Sequence, residues 1–123
     1  LVRAGDDVIL VDTGCGNGKT RSAPSFARFH DLDLPYLANL AAAGVRPEDV
    51  TIVVNTHLHV DHVGWNTKAE NGAWVPTFPN ARYVWGRIET EHWTNPDKGL
   101  KAMPAAAEVV ADSITPVLGA GLV

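Results

Sequence analysis

The sequence predicts an α/β domain built on one mixed sheet with flanking helices, and three observations carry that reading. Two short apolar runs, Val8-Ile9-Leu10-Val11 and Thr51-Ile52-Val53-Val54-Asn55, have the length and β-branched character of buried strands. Between them Leu34, Leu37, Leu40 and Ala41 recur at three- and four-residue spacing, the period of a helix with one apolar face. Directly after the second run stands Thr56-His57-Leu58-His59-Val60-Asp61-His62-Val63-Gly64, which holds three of the five histidines in the chain.

The elements follow in order. Leu1 to Ala4 reads as a strand, Gly5-Asp6-Asp7 as a turn and Val8 to Asp12 as the returning strand of a hairpin. Asp12 closes that strand, where a carboxylate can either enter a site or cap a turn. Residues 13 to 24 carry Gly18-Lys19-Thr20, but the phosphate-loop spacing fails because Thr13 stands where glycine is required, and Pro24 interrupts the helix that should follow. The glycines instead let the backbone turn sharply, and Cys15 reads as a small packed thiol. Ser25 to His30 reads as a short helical turn, with His30 a surface or packing residue. A helix over 35–43 starts at Pro35 and stops before Gly44. Arg46 to Asp49 then connects tightly into the strand at 51–55. Strand, helix and strand make a crossover unit, which brings Asp12 and the histidine stretch to one edge of the sheet.

Further on, Val63-Gly64-Trp65 reads as a short helix and Asn66 to Asn80 as a long irregular segment. Trp65, Trp74 and Phe78 have two open readings, the mouth of an apolar pocket or the closure of a core. Ala81 to Trp85 reads as a strand, Gly86 to Trp93 as a helix carrying Glu89, Glu91 and His92, with His92 on a solvated face rather than in a metal site, and Ala105 to Val117 as a last helix. There is no internal repeat, low-complexity tract or interdomain linker.

Composition narrows the function classes. The net charge of −4 among 123 residues argues against a nucleic-acid or anionic-membrane partner, and no apolar run is long enough to span a bilayer. A single cysteine excludes an internal disulfide and fits a reducing compartment, so a cytoplasmic location is the default. The chain begins Leu1-Val2-Arg3 without Met, so an export signal ahead of it stays open.

His57, His59, Asp61 and His62 carry the chemistry. Imidazole nitrogen and carboxylate oxygen are ligands for Zn²⁺, with Fe or Mn possible. In extended chain His57 and His59 point to one side. Asp61 and His62 diverge from them if a helix starts there, which suits two ions better than one. This His-x-His-x-Asp-His pattern after a hydrophobic strand, together with Val11-Asp12-Thr13-Gly14 upstream, resembles the metallo-β-lactamase-fold hydrolases. The resemblance implies an αβ/βα sandwich and two Zn²⁺ ions per intact domain sharing a hydroxide. His57 and His59 would hold the first ion, and Asp61 with His62 the second. Asp61 would take the proton and pass it to the leaving group, while Asp12 would support the ligand loop without binding metal. Gly64-Trp65, the Asp12 to Gly16 loop and Thr77 to Tyr83 look like the branch of lactonases, aryl esterases and phosphotriesterase-like enzymes. An ester or lactone is therefore the first substrate class and an organophosphate triester the second.

The family pattern also uses a later His in a Gly-His-Thr-like turn, a bridging Asp and a final His. After His62 this chain has only His92, in a different context. Residues 1–123 are accordingly expected to be the N-terminal portion of a single domain. The competing readings are a nuclease of the same fold, which the acidic charge disfavours, an iron-dependent thiol oxygenase, and a non-catalytic metal-binding fragment.

Overall fold

Residues 8–11 alternate between a covered and an open side, and the rest of the fold is laid against the covered one. The computed structural model describes residues 1–123. Strand β1 (Val2–Ala4) pairs antiparallel with β2 (Asp7–Val11), which makes the predicted hairpin. β2 runs parallel to β3 (Ile52–Val54), and β3 parallel to β6 (Arg82–Val84), so the sheet order is β1-β2-β3-β6. Leu10, Val53 and Tyr83 stand side by side in this register and form the floor of the first core. Leu40 from helix α1 (Tyr36–Ala42) packs on them, with Val45, Val50, Phe78 and Val117 around it.

The strands at 8–12 and 51–55 are expected to be buried on both faces, and they are covered on one. Val11 is 50% exposed and Val84 42% exposed on the other face of the sheet. Helix α1 is shorter and less buried than its periodicity implies: Leu40 is in the core, whereas Leu34 is 52% exposed. Gly44 does end it, in the left-handed conformation (φ 73°) that glycine adopts at no steric cost.

The segment 66–80, read from sequence as irregular, contains a second sheet. Strands β4 (Thr67–Glu70) and β5 (Ala73–Pro76) pair antiparallel across Asn71-Gly72. Both turn residues have positive φ, 52° and 80°, as a two-residue hairpin loop with matching twist demands. Helix α2 (Arg87–Trp93) follows β6 as expected. A short helix α3 (Gly99–Ala102) comes next, and the expected last helix is present as α4 (Ala106–Val109), a π-helical turn over Val110–Ile114, and α5 (Thr115–Gly119) in direct succession. No helix is long and apolar enough to cross a membrane.

A second core sets the position of the histidine stretch. Leu58 and Val60 alternate with His57, His59 and Asp61, and together with Val63 they are buried among Trp93, Ala106, Val109, Val110 and Ile114. Anchoring every other side chain inward turns the intervening polar ones toward the opposite side.

Candidate functional site

The site begins where β2 and β3 end. Asp12 N–H donates to the Val54 carbonyl (2.8 Å), continuing the ladder one residue past β2. Asp12 itself then takes a left-handed conformation, φ 55°, which Asp tolerates better than most residues. Its carboxylate accepts from the Thr56 backbone N–H (2.8 Å) and from the Thr56 hydroxyl (2.9 Å), and lies 3.0 Å from His62 Nδ1. Partial burial works to raise its pKa. The hydrogen bonds from His62 and Thr56 outweigh that and hold the carboxyl below its ordinary range.

This carboxylate sets the tautomers of two imidazoles. His62 Nδ1–H donates to Asp12 directly. The Thr56 hydroxyl spends its hydrogen on Asp12, so its oxygen accepts from His57 Nδ1–H at 3.0 Å. Both Nε2 lone pairs are left uncovered by that network, the state in which imidazole binds a Lewis acid. His57 lies between its neighbours, with ring centroids 3.9 Å from His62 and 4.5 Å from His59. The divergence of His62 from the first pair expected from sequence is therefore absent, because residues 59–62 form a tight turn (His62 N–H to His59 O, 3.0 Å) rather than a helix start. Burial, with the neighbouring His57 next, lowers the pKa of His59 and favours its neutral form. Asp61 is exposed, its Oδ1 3.6 Å from His62 Nε2.

Three imidazoles and a carboxylate fit zinc in kind. In arrangement they make part of a shell, since no three or more His, Cys, Asp or Glu side chains close around one point. His30 and His92 stand apart: His30 Nδ1 accepts from Arg21 N–H (3.0 Å), and the His92 ring lies against Trp93.

The glycine loop packs onto the far end of the motif. Gly64 N–H donates to the Gly14 carbonyl (2.7 Å) and Trp65 N–H to the Thr13 carbonyl (3.1 Å). The contact is backbone on backbone: a methyl group on Gly64 would sit 1.8 Å from the carbonyl carbon of Cys15. Beside it opens a pocket of about 380 Å³ lined by Gly14, Cys15, Tyr36, Asn39 and Trp65 among others, with the Tyr36 and Trp65 rings stacked at 5.3 Å. Of the three aromatics with two readings, Trp65 thus lines a pocket, Phe78 is wholly core, and Trp74 covers the Lys19 ammonium at 3.7 Å from its ring centroid. Burial, reinforced by the nearby Asp61 charge, raises the Cys15 thiol pKa, which suits a packed thiol rather than a nucleophile.

Two features escape a reading of motifs alone. Glu89, to which the sequence gives no role, turns inward: its Oε2 accepts from Leu58 N–H (2.9 Å) and from Trp93 Nε1–H (3.1 Å). The pairing of Glu89 and Trp93 four residues apart on one helix is the signal that could have found it. Lys19, set aside as part of a failed phosphate loop, is buried against Thr67 (2.8 Å) and Asp112 (3.4 Å).

A family description, the metallo-beta-lactamase superfamily, matches residues 1–120. An N-acyl homoserine lactonase, AttM, of Azorhizobium caulinodans is 38% identical over 61 residues, which are 50% of this chain and 20% of that protein. Among solved structures, hydrolase AbOPH of the beta lactamase superfamily superposes with a TM-score of 0.66 at 27% identity, over 96% of this chain and 38% of that one. AidC, described as a dizinc quorum-quenching lactonase in complex with a product, gives a TM-score of 0.60 at 27% identity, over 96% of this chain and 37% of that one. The match thus spans about a fifth of the curated relative and less than two fifths of either solved chain.

Proposed function

The chain belongs to the metallo-beta-lactamase superfamily, and from that premise we propose that it carries the metal-binding loop of a zinc-dependent hydrolase acting on a lactone or ester. Residues 1–123 are, in this reading, the N-terminal portion of a single domain whose remaining ligands lie beyond Val123. The carrying observation is that Asp12 engages Nδ1 of His62 directly and Nδ1 of His57 through the Thr56 hydroxyl, with both rings clustered beside His59. The relatives favour an acyl-homoserine lactone within the lactone class, because that is what the AttM lactonase is named for.

His57 and His59 would hold one ion, and Asp61 with His62 a second. Zinc, when bound, lowers the pKa of water from about 15.7 toward ~7 and polarises a carbonyl oxygen. The rest is the work of the protein. Asp12 holds two imidazoles in the tautomer that donates from Nδ1, which leaves Nε2 as the nitrogen each ring offers to a metal. An Asp61 carboxylate oxygen accepts a proton from the attacking water and returns it to the alkoxide oxygen as the ester C–O bond breaks. The pocket beside Cys15, walled by the Tyr36 and Trp65 stack, offers an apolar surface to the substituent of the substrate.

The test is hydrolysis of N-hexanoyl homoserine lactone by the protein extended past Val123, followed with and without zinc. Zinc-dependent ring opening, reduced roughly 100-fold in Asp61→Asn even at saturating metal, is the expected result. If saturating zinc restores the full rate to Asp61→Asn, the aspartate is a ligand only. If the extended protein binds zinc and opens no lactone or ester, the hydrolase reading fails and a metal-binding role stands in its place.

A further inference from the structure

We propose that Glu89 is a positioning residue for the histidine loop, setting the separation of His57 and His59 through the backbone between them. The inference rests on the metal-binding reading above for its functional meaning, but its structural part stands alone. Leu58 lies between the two histidines, and its N–H makes no backbone hydrogen bond. Its acceptor is Glu89 Oε2 at 2.9 Å, and the same oxygen accepts from Trp93 Nε1–H at 3.1 Å. Trp93 in turn presents its ring edge-on to His59, with centroids 5.2 Å apart.

One carboxylate oxygen therefore ties the loop backbone to helix α2 and, through the indole, to the imidazole that follows. The Leu58 side chain is 2% exposed within the second core, so the residue is held from both ends. On the other flank of the loop Asp12 performs the matching task for Thr56 and His62. Without Glu89 the Leu58 peptide is free to rotate about its buried side chain, and the two flanking imidazoles rotate with it. A metal shell tolerates displacements well under an ångström, and loss of groups that orient ligands typically weakens metal binding 10- to 100-fold.

The experiment uses the protein extended past Val123, with Glu89→Gln retaining an acceptor oxygen at the same reach and Glu89→Met retaining bulk with no acceptor. Amide hydrogen exchange of Leu58 is measured in the metal-free proteins, and zinc affinity by chelator competition. The expected result is a protected Leu58 amide in the wild type and in Glu89→Gln, and loss of that protection in Glu89→Met. Zinc affinity should fall by about 10- to 100-fold in Glu89→Met and stay within the same decade in Glu89→Gln. An unprotected Leu58 amide in the wild type overturns the proposal, as does a folded Glu89→Met with unchanged zinc affinity. A Glu89→Met chain that fails to fold also overturns it, by making Glu89 a residue of general stability. If Leu58 behaves as expected but the wild type binds no zinc, the metal-binding reading has failed while the positioning contact survives.

Discussion

Asp12 reaches three donors from one left-handed residue, and what it holds are the ends of the candidate ligand loop. Asp12→Asn tests this without backbone strain, because Asn also tolerates positive φ. The amide keeps one oxygen for Thr56 but turns an N–H₂ group toward His62 Nδ1, or the reverse. The loss of a charged acceptor should destabilise the fold by about 1.5–3 kcal/mol in a urea titration. Zinc affinity should fall by a further 10- to 100-fold, measured at a urea-free pH of about 7. At this scale the sequence was a good guide to which residues gather. His57, His59, Asp61, His62 and Asp12 lie together, because a strand end and an alternating apolar pattern leave polar side chains little choice of direction. How they are arranged was less legible. The turn at 59–62 depends on where Val60 and Val63 find their core, and the inward turn of Glu89 depends on a helix that is distant in sequence.

At the scale of elements, two glycines decide how closely the loop at 13–18 can approach the motif. Gly64 meets Cys15 backbone, and a methyl group on Gly16 would lie 2.7 Å from the Gly64 carbonyl oxygen. Gly64→Ala should therefore cost at least about 3 kcal/mol, the upper part of the overpacking range, because backbone cannot rotate aside as a side chain can. Gly72→Ala is the control: it has φ 80° but open space around it, so its cost should be about 1 kcal/mol. Equal melting shifts for the two variants would contradict the close-approach argument. The hairpin at 67–76 is only half legible in the sequence. Asn71-Gly72 is a strong short-range turn signal, but the flanking Thr67-Lys68-Ala69-Glu70 lacks the apolar alternation that usually marks a strand. The pairing partner and the burial of Thr67 settle it instead. The final helix was legible in its period and not in its break. The π-helical turn at Val110–Ile114 places the Asp112 carbonyl where it accepts from Lys19 Nζ and from the Thr67 hydroxyl, an arrangement that no local pattern announces.

Across the whole molecule, two buried cations and one carboxylate join the glycine loop to the C-terminal helices. Arg21 Nη1 lies 2.6 Å and Lys19 Nζ 3.4 Å from Asp112. Burial dominates at Lys19 and brings its pKa from 10.5 down to about 8, with Asp112 offsetting only part of the loss. Below about pH 8 the lysine is protonated in both folded and unfolded chains and contributes no pH dependence. Between that point and 10.5 the unfolded chain holds the extra proton, so stability should rise with pH, by at most about 1.4 kcal/mol per unit. Burial moves the two tyrosines the other way, Tyr36 up to about 12 and Tyr83 further upward. From about pH 10 the unfolded chain loses phenolic protons that the folded chain keeps, and stability should fall again. Urea midpoints should thus climb from about pH 8 to 10 in the wild type, and that climb should vanish in Lys19→Met. A wild-type midpoint flat across this window would show that burial does not depress the Lys19 pKa in the folded chain. Such long-range closure is what the sequence hides most completely, since Lys19 read in isolation suggests phosphate and Asp112 suggests nothing. The central claim, that His57, His59 and His62 present nitrogens to one metal-binding surface, is tested most directly by following all five imidazoles by ¹⁵N NMR during a zinc titration. The Nε2 signals of His57 and His62 should shift together with the His59 ring, while His30 and His92 stay in place. Shifts confined to His30 or His92, with the other three unmoved at saturating zinc, would contradict it.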